Sequence, residues 1–372
     1  MGTLCLVCRA ASPGPPSFVP EFAPVEVETR LFLIGDAGAP DPKGEPVLAA
    51  LGRELAQAPE KSFVVFLGDN VYPRGLPEPE ASDRRDGERR LDAQIDAVLH
   101  AGARGFFIPG NHDWDRHGKR GLQRVRIQGA YVTARGGSRV SFLPKDGCPG
   151  PALSDEVDPH LRLVALDTHW WLHKGPKPKG PASGCDPATE PGVVESLRAA
   201  LAGAGTRRVI VLAHHPLVSG GTHGGHFSLR DHLFPLRAVK GWLWLPLPIV
   251  GSVYPVLRKT GAFSQDISAP ANRHMVESLE SAFVGSPPFL WAAGHEHGLQ
   301  VLAGHGVRWL LVSGAGTPGH TRAPSRIPPT RFASGEAGFM RLDVARNGRV
   351  RLSVLGVDPE RGLAERFSLE LD

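Results

Sequence analysis

Five short apolar runs in this chain each end in residues of metal-binding type. Residues 29–34 lead into Gly35-Asp36-Ala37-Gly38, and residues 63–66 into Gly68-Asp69-Asn70-Val71-Tyr72. Residues 105–108 lead into Gly110-Asn111-His112-Asp113, 208–213 into His214-His215, and 289–293 into Gly294-His295-Glu296-His297. Taken singly, an Asp after a strand reads as a cap or turn residue, and a His there as a hydrogen-bonding group. A series of five reads differently, because parallel strands of a layered α/β fold carry their C-terminal ends to one edge. Carboxylate, imidazole, amide and phenol together suit borderline or hard transition metals rather than an all-sulfur zinc site. Seven such ligands with one carboxylate shared count to two ions about 3.5–4 Å apart. A pair of that kind clamps the attacking and leaving oxygens of an in-line phosphoryl displacement, and it makes hydroxide available near neutral pH.

The elements that must position these residues follow from periodicity. Val47, Leu48, Leu51 and Leu55 have helical spacing, as do Leu91, Ile95, Val98 and Leu99. A further helix is expected at about 190–203, and a strand at 161–167. Residues 116–132 carry Arg116, Lys119, Arg120, Arg124 and Arg126, which read either as the solvated face of a helix or as a basic rim guiding an anionic substrate. From 307 onward the pattern turns β-rich, with segments at 307–313, 338–344, 349–356 and 365–371, and Asn347-Gly348 as a hairpin turn. On the residues alone the chain is α/β with a β-rich C-terminus.

The 372-residue chain has 41% hydrophobic residues, enough for a sizeable core, and 45 Gly with 35 Pro, which predict long loops around short strands. Its net charge of +4 mildly favours anionic partners. No Lys/Arg block or aromatic-basic pattern accompanies it, so nucleic acid is not an expected partner. Residues 1–28 read as a leader or linker, with a remnant of a signal peptide at the start, and 29–372 as one domain. Residues 217–288 break the strand-helix rhythm and read as an insert. It holds a Gly/His loop at 220–226 and a Trp/Pro-rich apolar run at 241–257, too short and too interrupted by Pro246, Pro248 and Pro255 to span a membrane. That run reads either as a lid over the catalytic mouth or as a peripheral membrane contact. Cys5 and Cys8 form a C-x-x-C without a second pair. Cys148 and Cys185 pair as a disulfide if the chain is exported. Export or membrane association is favoured over a cytoplasmic location.

The five motifs in order, together with Val211-Leu212-Ala213-His214, resemble the calcineurin-like metallophosphoesterase superfamily. Asp69-x-x-Tyr72 and Val211-x-x-His214 are similar to its purple (tartrate-resistant) acid phosphatase branch. The resemblance covers about 29–216 and 289–315. It implies a four-layer αββα sandwich of two mixed sheets. It also implies Fe(III) on Asp36, Tyr72 and His297, a divalent Zn, Fe or Mn on Asn111, His214 and His295, and Asp69 as the bridge. His112 would contact the phosphoryl oxygens or protonate the leaving alkoxide, and His215 would sit behind the ligands or touch substrate. His223 and His226, in the Gly-rich loop, are candidate substrate contacts. The implied activity is that of a metal-dependent, acid-phosphatase-like hydrolase: a metal-held hydroxide attacks a phosphomonoester in line, without a phosphoenzyme. Two alternatives stand beside it. One is hydrolysis of phosphodiesters, in nucleotides or in phospholipid headgroups near a membrane. The other is a metal-stabilised binding module without turnover.

Overall fold

The computed structural model describes residues 18–371, apart from 235, 237–243, 248–249, 262 and 305. The signal-peptide remnant with Cys5 and Cys8, and parts of the apolar run 241–257, therefore lie outside the described residues.

Two mixed sheets of seven strands face each other. The first is built on the parallel strands β1 (Val27–Ile34), β2 (Ser62–Phe66), β3 (Arg104–Phe107) and β4 (Val140–Phe142). The second begins with β5 (Ala152–Ser154), β6 (Leu161–Ala165), β7 (Arg208–Leu212) and β8 (Leu290–Ala293), followed by β9 (Leu299–Ala303), β10 (Trp309–Ser313) and β11 (Thr330–Ser334). Its order is β11-β9-β10-β8-β7-β6-β5, with β6, β7, β8 and β10 mutually parallel. The chain then returns to the first sheet as the antiparallel strands β12 (Gly338–Ala345), β13 (Val350–Asp358) and β14 (Gly362–Leu371). That sheet reads β14-β13-β12-β1-β2-β3-β4.

Period-two alternation explains why the sheets stack. In β1, Leu31 and Leu33 join Val65, Phe106, Ile210, Leu212 and Leu290 in the core between the sheets. Phe32 and Ile34, on the other face, pack under α1 (Pro46–Ala56), α2 (Arg84–Ala101) and α3 (Gly121–Gly136) through Leu51, Leu55, Ile95, Val98 and Val125. The short helix α4 (Thr168–Leu172) follows β6. On β7 the inward pair is Ile210 and Leu212, while Val209 and Val211 face α5 (Glu190–Ala202). The insert contributes α6 (Leu229–Leu233), α7 (Val253–Lys259) and α8 (Pro270–Glu280). Met275 and Leu279 of α8 belong to the same outer core as α5, so the last part of the insert is a structural layer of the molecule. Strands buried on both faces need apolar residues at nearly every position, and that is what these runs carry. The result is the four-layer αββα sandwich.

Local signals set the helix ends. Pro46 occupies the first turn of α1, whose N-cap Glu45 accepts from the Val47 amide at 3.2 Å. Asp167 caps α4 by accepting from the Trp170 amide at 3.0 Å. Two sequence readings change. The basic stretch 116–132 is not one solvated face, because α3 starts only at Gly121 and Arg124 is buried, donating to the Arg74 carbonyl at 2.6 Å. The end of the expected leader, 18–26, lies against the C-terminal strands: Arg351 donates to the Val19 carbonyl at 2.8 Å, and Arg341 to Glu21 at 2.8 Å. Cys148 and Cys185 are bonded.

Candidate metal centre

The tips of β1, β2, β3, β7 and β8 meet at one edge of the sandwich. Glycines let them approach. Gly68 has φ +90°, and a Cβ there would lie 2.5 Å from His214 Nδ1, while a Cβ on Gly110 would lie 2.3 Å from the Asp69 amide nitrogen. Asp36, Asp69 and His295 all adopt left-handed backbone conformations (φ +58°, +56° and +66°). For a side chain other than Gly this is unusual and clusters at functional sites.

Two groups of donor atoms form at this edge. In the first, the Tyr72 hydroxyl lies 3.0 Å from Asp36 Oδ1 and 3.2 Å from His297 Nε2, and His297 Nε2 lies 3.4 Å from Asp36 Oδ1. In the second, Asn111 Oδ1 lies 3.0 Å from both His214 Nε2 and His295 Nδ1, which are 3.2 Å apart. Asp69 stands next to the second group, its Oδ1 3.4 Å from His214 Nε2. Each histidine of the two groups turns its other nitrogen to a backbone carbonyl. His214 Nδ1 donates to Leu67 at 2.8 Å, His295 Nε2 to Gln265 at 3.2 Å, and His297 Nδ1 to His320 at 3.2 Å. This fixes the tautomer and leaves a lone pair directed at the neighbouring donors, the arrangement of a metal-binding imidazole.

The electrostatics call for cations. Asp36 and Asp69 are buried, and among the described residues no Lys or Arg pairs with either. Burial, then the charges of Asp36 and Asp69, push the Tyr72 phenol well above its ordinary range. Burial disfavours charge on His297, yet its bond to Asp36 and the charges of Asp36 and Asp69 prevail and raise it to about 9. Burial first, then neighbouring imidazoles, holds His295 and His215 well below the usual histidine range. A neutral imidazole at His295 and crowded acidic groups at Asp36, Asp69 and Tyr72 suit metal ions, and an ion beside Asp36 would displace the proton that the carboxylates draw onto His297; the donor set fits a dinuclear centre.

The remaining candidates divide. His112 lines the same edge, its Nδ1 donating to the Pro73 carbonyl at 2.7 Å and its Nε2 lying 3.8 Å from Asp69 Oδ2. His215 is fully buried behind the ligands, with Nδ1 2.8 Å from Thr168 Oγ1 and Nε2 3.1 Å from Gln265 Oε1. Direct substrate contact by His215 would break one of those bonds. The His223 ring centroid lies 4.1 Å from that of His295, and its Nδ1 contacts Asp266 and Arg258. The ring of His226 makes no hydrogen bond among the described residues; its amide bonds the Gly221 carbonyl at 3.1 Å. Glu296 points away from the donor groups and accepts from Ser219, Thr222 and His223, anchoring the Gly-rich loop. Sequence reasoning missed Gln265 and His320, which support ligands through backbone carbonyls that no side-chain pattern reveals. It also missed His117, His169 and His173, although the i,i+4 spacing of the last two marks one helix face.

A sandwich that gathers carboxylates and imidazoles at one edge in this way defines the class of metal-dependent phosphoesterases. The family model of calcineurin-like phosphoesterases matches residues 29–244, more than half of the chain, and the chain belongs to that family. Solved structures with a similar fold include GAP50, described as the anchor in the inner membrane complex of Plasmodium, at 14% identity over 93% of this chain and 89% of that one, with a TM-score of 0.53. PhoD is similar at 12% identity over 97% and 72% of the two chains, with a TM-score of 0.52. A purple acid phosphatase from yellow lupin (Lupinus luteus) seeds aligns at 14% identity over 92% of this chain and 53% of that chain, with a TM-score of 0.49. No curated protein matches the chain significantly.

Proposed function

We propose that this metallophosphoesterase hydrolyses phosphomonoesters at a dinuclear centre of the purple acid phosphatase type. Asp36, Tyr72 and His297 would hold one ion, Asn111, His214 and His295 the other, with Asp69 available to both. The observation that carries this reading is the division of the donors into two groups, with neighbouring members 3.0–3.4 Å apart, and Asp69 beside them. When bound, the ions supply an activated water and neutralise charge on the phosphoryl oxygens. The chain's own residues do the rest. Asp36 and Asp69 would fix the ions' positions, and His112, whose Nδ1 is tied to the Pro73 carbonyl, presents Nε2 to the phosphoryl group and, once it has taken a proton there from solvent at acidic pH, passes it to the departing alkoxide. His215 acts through Gln265, and His223 closes one side of the mouth.

The test is metal analysis with a visible spectrum of the wild type and of Tyr72→Phe. A phenolate-to-iron absorption band lost in the variant is expected. A colourless wild type holding two zinc ions removes the purple acid phosphatase assignment, and a wild type without metal removes the dinuclear reading altogether. Parallel turnover of a nitrophenyl monoester and a bis-nitrophenyl diester distinguishes the two ester classes.

A second reading, a diesterase working on phospholipid headgroups, is favoured by α7. Its Val253, Val256 and Leu257 are exposed, as are Trp244 and Leu245, while its Arg258 reaches His223 at 2.9 Å. No helix among the described residues is long and apolar enough to cross a membrane, so this contact would be peripheral. Co-sedimentation with anionic vesicles tests it. The Cys148–Cys185 bond supports an exported location.

A further inference from the structure

Behind the dinuclear ligands lies another histidine group. His117 follows the Asn111 turn, and His169 and His173 sit one turn apart at α4. Each of the three rings offers one nitrogen, and those nitrogens lie within 4.8 Å of one another. His169 and His173 are buried and His117 is half-buried.

The hydrogen-bond inventory of the rings is incomplete in a consistent way. His169 Nε2 and His173 Nδ1 face the same carbonyl oxygen, that of Arg116, at 2.5 and 3.1 Å. His117 Nε2 contacts Ser264 Oγ at 2.7 Å and Gln265 Nε2 at 3.0 Å. The other nitrogen of every ring, His117 Nδ1, His169 Nδ1 and His173 Nε2, is buried without a partner. Buried polar atoms are paired as a rule, so three orphans in one cluster need an explanation. A neutral imidazole that donates one N–H to a carbonyl keeps a lone pair on its other nitrogen, which holds for His169 and His173 at the Arg116 carbonyl; His117 keeps one on Nδ1 when its Nε2–H donates to Ser264 Oγ.

We propose that His117, His169 and His173 bind a third metal ion, a divalent transition metal of the zinc class. Three imidazoles without a carboxylate select against Mg²⁺ and Ca²⁺, which take oxygen ligands. Three protein ligands also leave a position for water. The ion joins segments that arrive from different parts of the chain. The loop carrying Asn111 and His112 is tied to α4, and His117 is bonded to 264–265. Gln265 in turn holds both His295 and His215. The rings form a continuous row, with centroids 5.4 Å apart for His117–His169, 5.8 Å for His169–His215 and 4.5 Å for His215–His295. The third ion is therefore a staple behind the first two.

Metal counting on the full-length purified protein, after dialysis with Zn²⁺ and separately with Co²⁺, tests this. The wild type is expected to hold three ions per chain. His173→Ala and His117→Gln should each hold two, and His117→Gln should lose the visible band of one Co²⁺ equivalent. Asp69→Ala depletes the dinuclear centre and should keep the third ion, which separates failure of this proposal from failure of the functional reading. His117→Gln alters a half-buried ring and carries the comparison if His173→Ala does not fold. A wild type that saturates at two ions overturns the proposal, as does retention of three ions in His117→Gln.

Discussion

Asn111 Oδ1 stands 3.0 Å from two imidazole nitrogens that arrive on separate strand tips. Asn111→Ala leaves His214 Nε2 and His295 Nδ1 without their common neighbour. The expected result is loss of one ion, with metal affinity falling by more than the roughly 100-fold seen when a supporting residue is lost; metal titration of the variant measures it. His112 differs, since its ring is bonded to the Pro73 carbonyl and belongs to neither donor group. His112→Asn should keep the metal content and lower kcat by about 10²–10⁴-fold, the range for a proton donor in the transition state. Steady-state kinetics alongside metal analysis checks both halves. Equal loss of metal in the two variants would remove the distinction between ligand and proton donor.

At the level of elements, the site depends on clips between strand tips. The Asp113 carboxylate accepts from the amides of Gly110 at 2.8 Å, Asn70 at 3.0 Å and Val71 at 3.1 Å, and from the Asn70 side chain at 2.9 Å. It thereby joins the segment after β2, which carries Asp69 and Tyr72, to the segment after β3, which carries Asn111 and His112. Asp113→Asn turns an NH₂ group toward several of these donors. Buried unsatisfied donors cost about 1–3 kcal/mol each, so a loss of about 2–4 kcal/mol in denaturant unfolding is expected. An unchanged midpoint would show that the loops hold their positions by packing alone. Periodicity made most long elements legible: α1, α5 and the five ligand-bearing strands stand where their apolar patterns put them, within a few residues, whereas α2 begins at Arg84, well before its first apolar position Leu91, in a charged stretch without a stripe. The three-residue strands β4 and β5 were not legible, because three residues carry no period. Nor was the burial of Arg124, whose partner Arg74 lies 50 positions earlier.

Across the whole molecule, the Cys148–Cys185 bond closes a segment with a sequence separation of 37 residues. That segment contains β6, α4 and Asp167, whose carboxylate accepts from Trp114 Nε1 at 2.7 Å. Loop-closure entropy for a segment of that size stabilises the fold by about 3–4 kcal/mol. A Cys148→Ser/Cys185→Ser variant should melt several degrees lower in calorimetry and keep the metal content of the wild type by metal analysis. Coincident loss of metal and stability would mean that the bond also shapes the site. The α8 part of the insert is bound into the outer core by Met275 and Leu279, so its deletion should abolish folding and not merely open the mouth.

The order and chemistry of the donors were written in the chain itself. Asp, Tyr, Asn and His close apolar runs of the kind a doubly covered strand carries, and those features point to an α/β fold with metal-binding side chains gathered at one sheet edge; the two-sheet arrangement followed from the family resemblance. Tertiary structure alone decided which nitrogen of each imidazole faces the centre, since the carbonyls of Leu67, Gln265 and His320 make that choice and backbone oxygens leave no mark on a residue pattern. It also decided that His117, more than 50 positions before His169 and His173, stands beside them. Contacts of that range depend on how two sheets stack, and local periodicity does not carry that information.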